Sequence, residues 1–132
     1  LDGSKTAEQV LAPITAVARA LECELILCEV YISFLFDCST RAAARMARAY
    51  LRGVAKRIED QGIKVRTAAR TGPVAETIVQ LAKENQADLI AMCTHGRTGI
   101  ARLALGSTAA RVLRAVNTPI LLVPATRRLT RH

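Results

Sequence analysis

The chain has no tryptophan, and aromatic residues make up only 3% of its 132 positions. Its core must therefore be aliphatic, and side chains on which nucleic-acid bases could stack are scarce. No apolar run approaches the roughly 20 residues of a membrane-spanning helix. Leu1-Asp2-Gly3 has neither the basic start nor the apolar stretch of a secretory signal, and because the chain lacks an initiator methionine an upstream start is expected. Two histidines accompany four cysteines, Cys23, Cys28, Cys38 and Cys93, whose spacing is neither a Cys-x-x-Cys redox motif nor a zinc pattern. Buried free thiols in a cytoplasmic protein are the expectation. Acidic residues are the scarcer charge, 11 against 19 Lys and Arg, giving a net charge of +8. With the arginines on helix faces and no aromatics between them, this reads as a solvated basic surface that attracts anionic small molecules. Neither a nucleic acid nor a membrane is the expected partner.

What the chain does have is apolar residues, 51% of the total, enough for one domain with a real core and too little length for two. Asp2-Gly3-Ser4 reads as a turn ending in a helix cap, and Val10, Leu11, Ile14, Val17, Ala18 and Leu21 then recur at helical spacing, predicting a helix over 5–22 kinked at Pro13. Leu25 to Tyr31 is a short buried strand. Met46, Tyr50, Val54 and Ile58 mark the inner face of a long helix over 40–61, with Arg41, Arg45, Arg48, Arg52 and Lys56 off that face and Gly62 as its stop. The alternation in 63–70 predicts an edge strand. Pro73 opens a third helix with Val74, Ile78, Leu81 and Ala82 inward.

Residues 88–124 carry the chemistry. They read as a buried strand over 89–93, a glycine-containing loop, a helix over 108–116 with Asn117 as a left-handed stop, and a buried strand over 120–123. That order brings a loop and a helix N-terminus to the carboxyl end of a parallel strand, where open α/β sheets bind ligands and free backbone N–H groups favour anions. The fold class expected is α/β, a doubly wound, mostly parallel open sheet of five strands with helices on both faces. Only Leu1-Asp2 remains of the strand that should precede the first helix, so a strand of roughly five to eight residues is expected upstream. Residues 1–125 form the expected domain, and 126–132, with Arg127, Arg128 and Arg131, a basic tail.

Over nearly its whole length the chain resembles a universal stress protein domain. The resemblance rests on Asp2-Gly3-Ser4, Gly72-Pro73, Thr94-His95-Gly96-Arg97, Gly106-Ser107 and Thr118-Pro119 leading into the strand that ends at Pro124. Nucleotide-binding members of that family carry a glycine, two residues, a second glycine, nine residues, then glycine and Ser or Thr. Here Gly96 is the second glycine, nine residues follow, and Gly106-Ser107 close the pattern, but Cys93 stands at the first glycine. A side chain there either crowds a close backbone approach or, if the position needs positive φ, brings strain; either way weaker binding is expected.

The resemblance implies ATP or a related adenine nucleotide, with Mg²⁺ or another divalent cation on its phosphates. Asp2 and Val30 would lie at the adenosine end, Met92 and Cys93 beside the ribose, and Gly96, Arg97, Gly106, Ser107 and Thr108 around the phosphates. Each residue also has a plainer role. Ser107 can be a helix cap, Arg97 and Arg102 solvated loop charges, Asp2 a turn former, and His95 a loop residue with no carboxylate placed to make it a general base. No catalytic residue and no protein-held metal is expected. The function expected is that of a nucleotide-binding stress-response protein, non-enzymatic or weakly hydrolytic, forming a homodimer through strand 119–124. The alternative is a nucleotide-free fold serving as a protein interaction module.

Overall fold

The computed structural model describes residues 1–33, 38–95 and 105–125. Four strands and four α-helices alternate along them. They are α1 (Leu11–Leu21), β1 (Leu25–Tyr31), α2 (Cys38–Glu59), β2 (Val65–Thr71), α3 (Val74–Glu84), β3 (Ile90–Cys93), α4 (Ser107–Ala115) and β4 (Ile120–Val123). β1 pairs with β2 in parallel, from Leu25 opposite Val65 to Tyr31 opposite Thr71. β3 pairs with β4 in parallel, from Ile90 opposite Ile120 to Cys93 opposite Val123. Parallel pairing across a helical crossover is what the alternation of helix and continuously apolar strand predicts.

Among the described residues the two pairs form separate sheets with four strands in all; the fifth strand of the expected sheet is the one of which the sequence holds only the end, Leu1-Asp2. Leu1 lies on the β1 side, its backbone nitrogen donating to the Cys28 carbonyl at 2.8 Å. Each pair has its own core. Leu51, Val54, Ala55 and Ile58 of α2 close over Leu25 and Leu27 of β1. Ala75 and Val79 of α3 and Val112 of α4 close over Ile90 of β3.

Some predicted details change. The first helix starts as a 3-10 turn, Ala7–Val10, and becomes α-helical at Leu11. Pro13 therefore falls in the first turn of α1, where backbone N–H groups have no intrahelical acceptor, and the expected mid-helix kink is replaced by this junction. Met46, expected inside, is 73% exposed, and Ala47 and Leu51 take the inner face. Four-residue spacing advances about 40° per step around a helix, so a stripe drawn at that interval drifts off the core-facing side. Val74 is likewise exposed while Ala75 and Val79 point inward, and Pro73 precedes α3 as its N-cap. α4 ends at Val116 in an extended conformation, not in a left-handed turn at Asn117.

Candidate functional site at the carboxyl ends of the strands

The N-terminal turn is the first component. Asp2 Oδ1 accepts hydrogen bonds from the Ser4 backbone N–H, at 2.9 Å, and from the Ser4 hydroxyl. The Ser4 hydroxyl in turn accepts the Ala7 N–H at 3.1 Å, which starts the 3-10 turn. Asp2 is thus a turn former, as a short carboxylate two residues ahead of an N–H favours. Its side chain is half-buried, and the neighbouring Leu1 is bonded to Cys28 in the middle of β1.

Cys93, the last residue of β3, joins that turn to the second sheet. Its Sγ lies 3.2 Å from the Thr6 carbonyl oxygen and 3.5 Å from that of Ala7, a weak thiol donor aimed at the 3-10 turn. Burial pushes the thiol above its ordinary pKa, so it is held protonated at neutral pH. Among the described residues, positive φ outside glycine occurs only at Glu22 and Gln86. Cys93 therefore carries no positive-φ strain, and its side chain is seated against the Thr6 and Ala7 carbonyls.

Thr94, which the sequence reading left out of the site, is the hub. Its N–H donates to the Val123 carbonyl at 3.0 Å, extending the β3–β4 ladder, and its carbonyl accepts the Gly106 N–H at 2.8 Å. Its hydroxyl accepts the Ala125 N–H at 3.3 Å and lies 3.0 Å from His95 Nδ1, to which it can donate. The signal for it was present: a β-branched hydroxyl residue at the end of a buried strand, one position before His95.

Gly106 is the N-cap of α4 and approaches so closely that a Cβ would stand 2.6 Å from the Thr94 carbonyl oxygen. Its φ is −59°, so the requirement for glycine is space and not backbone freedom. Ser107 is then the first helical residue and not the cap it could have been; the cap position is Gly106, which has no side chain to cap this end. The first intrahelical bond runs from the Ala110 N–H to the Gly106 carbonyl at 2.9 Å. The N–H groups of Ser107, Thr108 and Ala109 come before it, at the positive end of a nine-residue helix.

The remaining predicted residues divide. Thr108 is half-buried beside Ser107. Met92 packs its side chain against the core of Ala75, Val79, Ile90 and Val112, so only its backbone borders the corner. Val30 sits on β1 opposite Arg70, half-buried, in the other sheet from β3. Gly96, Arg97 and Arg102 lie outside the described residues. Among the described residues, no cluster of three His, Cys, Asp or Glu side chains is arranged to hold a metal ion. Nor is any described helix long and apolar enough to cross a membrane.

The sequence profile described as the universal stress protein family matches residues 1–124. The chain is 42% identical over 73 residues to Universal stress protein MJ0531 of Methanocaldococcus jannaschii, covering 55% of this chain and 43% of that protein. It is 34% identical over 77 residues to Universal stress protein MJ0577 of the same organism, covering 58% and 48%. The chain thus spans about half the length of these relatives. The solved structure of MJ0577 superposes with a TM-score of 0.82 at 28% identity, over 96% of this chain and 92% of that one. A universal stress protein solved in complex with cAMP superposes with a TM-score of 0.74 at 27% identity, over 96% and 93%. With the profile spanning nearly the whole chain and the fold shared from end to end, this protein belongs to the universal stress protein family.

Proposed function

We propose that the corner formed by Asp2–Ser4, Cys93–Thr94 and Gly106–Thr108 binds an adenine nucleotide, ATP foremost, and that the protein acts in the stress response without substantial catalysis. The observation that carries this reading is the pairing of Gly106 with Thr94. It sets the N-terminus of α4 against the carboxyl end of β3, where the N–H groups of Ser107, Thr108 and Ala109 precede the first intrahelical bond and favour an anion. The complex of a similar protein with cAMP supports an adenine nucleotide as the occupant.

In this arrangement the phosphates lie on the N–H groups and hydroxyls of Ser107 and Thr108; Gly96 and Arg97, which the family resemblance assigns to the phosphates, lie outside the described residues. The ribose passes the backbone of Met92 and Cys93, and the base lies toward Asp2 and Val30. Mg²⁺, where it takes part, draws its ligands from phosphate oxygens and water, which suits an ion that dehydrates reluctantly and a corner without a carboxylate cluster. His95 Nδ1 already faces the Thr94 hydroxyl, and hydrolysis is therefore assigned no base.

The protein is further proposed to be cytoplasmic and to work as a homodimer. β4 is a four-residue apolar strand, Ile120–Val123, paired on one side by β3 and half-buried throughout, a shape suited to pairing with its own copy across a two-fold axis. Equilibrium titration with a fluorescent ATP analogue, with and without Mg²⁺, tests the central reading. Saturable binding displaced by ATP is expected; no binding at millimolar nucleotide would refute it.

A further inference from the structure

Taken one at a time the arginines of α2 are ordinary surface charges; on the folded helix they are a single stripe. Arg41, Arg45, Arg48, Arg52 and Lys56 are all exposed, and at about 100° per residue they occupy an arc of about 80°. At about 1.5 Å per residue the stripe is about 22 Å long. No aspartate or glutamate occurs between Cys38 and Ile58. Among the described residues none of the four arginines forms an ion pair, and Lys56 has only a loose one, 3.9 Å from Asp60 at the helix end. Arg52 and Lys56 also border a shallow groove of about 540 Å³ between α2 and β2, lined as well by Glu59 and by Arg66, which is paired with Glu24.

We propose, against the expectation drawn from composition, that this stripe is a docking surface for the phosphate backbone of duplex nucleic acid. Three observations select that partner. The exposed face beside the stripe is Ala42, Met46, Ala49 and Gly53, so Met46 is its one large apolar group, whereas a protein partner would need a cluster of buried anchors. Binding must then draw on charge, which a polyanion rewards through counterion release. Tyr50, the one aromatic residue of α2, is engaged by Glu8 at 2.9 Å and half-buried, so the helix offers no platform for unstacked bases. A duplex, met through its phosphates, asks for none. The stripe spans about six base-pair steps at about 3.4 Å each, and the low Ala-Gly shelf lets the helix approach the groove closely. Arginine predominates, and its planar fork matches phosphate oxygens in pairs. Binding of this kind positions the protein without reading sequence.

Fluorescence anisotropy of the full chain with a labelled 20-base-pair DNA duplex of mixed sequence, in 50 to 200 mM NaCl, tests the proposal. Five phosphate contacts predict a log–log salt slope of about −4.5, or about a 500-fold loss of affinity across that range. The double variant Arg45→Gln/Arg52→Gln should bind at least about tenfold more weakly with a slope shallower by about two, while Arg45→Lys/Arg52→Lys retains most binding. Circular dichroism melts of the variants should superpose on the parent, because both side chains are exposed. The proposal is overturned by no saturable binding at 50 mM salt, or by undiminished binding of the Gln variant. It is equally overturned if Arg127→Gln/Arg128→Gln, and not the α2 variant, abolishes binding. Displacement of the duplex by poly-glutamate at equal charge concentration would assign the stripe to an acidic protein instead.

Discussion

Gly106 and Thr94 are held so close that one hydrogen bond and one steric limit meet at the same atom. The Gly106 N–H donates to the Thr94 carbonyl at 2.8 Å, and a Cβ on residue 106 would stand 2.6 Å from that oxygen. The start of α4 is thereby fastened to the end of β3. Gly106→Ala must push the two apart. We expect a loss of about 1–3 kcal/mol of stability, the usual cost of overpacking. Nucleotide affinity should fall at least about tenfold, equivalent to about 1.4 kcal/mol. Urea unfolding and calorimetric titration with ATP measure the two effects; unaltered affinity in a folded variant would show that this junction does not shape the site.

The family resemblance implies glycine at the position of Cys93, whose Sγ is directed at the Thr6 and Ala7 carbonyls. Cys93→Gly is therefore expected to leave ATP affinity within about threefold, and to cost about 0.5–1 kcal/mol of stability from added backbone freedom. A large gain in affinity on this substitution would mean that the thiol obstructs the ribose, and would favour the nucleotide-free interaction module.

Tyr50 ties α2 to the N-terminal 3-10 turn. Its hydroxyl donates to Glu8 Oε1 at 2.9 Å, and Arg57 lies 3.6 Å from the other carboxylate oxygen. Burial first, then the hydrogen bond to Glu8 and its charge, raise the phenol above its ordinary value. A raised folded pKa means that the native state holds a proton the unfolded chain releases. The contribution is complete below about pH 10, where unfolded tyrosine titrates, and is lost as pH climbs above it. Tyr50→Phe should cost about 1 kcal/mol at neutral pH, discounted for solvent screening, and should show a flatter fall in stability above pH 10. Urea midpoints from pH 7 to 11 provide the comparison.

Leu51 is fully buried where α2 meets β1, at 0% exposure. Leu51→Ala removes three buried carbons and leaves a cavity, for an expected loss of about 2–5 kcal/mol. Chemical denaturation at fixed pH measures it. A loss below 1 kcal/mol would mean that α2 relaxes into the space.

Leu121 lies in the middle of β4, opposite Ala91. A lysine on an edge strand resists pairing with a second chain. Leu121→Lys is expected to convert a dimer to a monomer in light scattering coupled to size exclusion. A parent protein that is already monomeric at high concentration would exclude the β4 interface.

Local chemistry made much of this fold legible. β1 and β4 have the predicted bounds, because a short apolar run closed by polar or proline positions admits few other structures. The Asp2–Ser4 turn follows from a carboxylate and a hydroxyl within reach of nearby N–H groups. The spacing from Gly96 to Gly106-Ser107 and the Thr94-His95 pair marked the corner where α4 begins.

Other features depended on groups distant in sequence. Whether Ala47 or Met46 faces inward is decided by where β1 and β2 lie, since both fit a helical stripe to within a residue. The seat of Cys93 is supplied by carbonyls 86 and 87 positions earlier in the chain. Thr94 became a hub only because β4 and α4 return to it. Periodicity and turn chemistry dictated the alternation of helix and parallel strand, the aliphatic core and the meeting of a turn and a helix start at the end of β3. Packing between distant segments decided which helix faces are buried and how the Cys93 thiol is seated. Those depend on the distance between residues that only packing brings together.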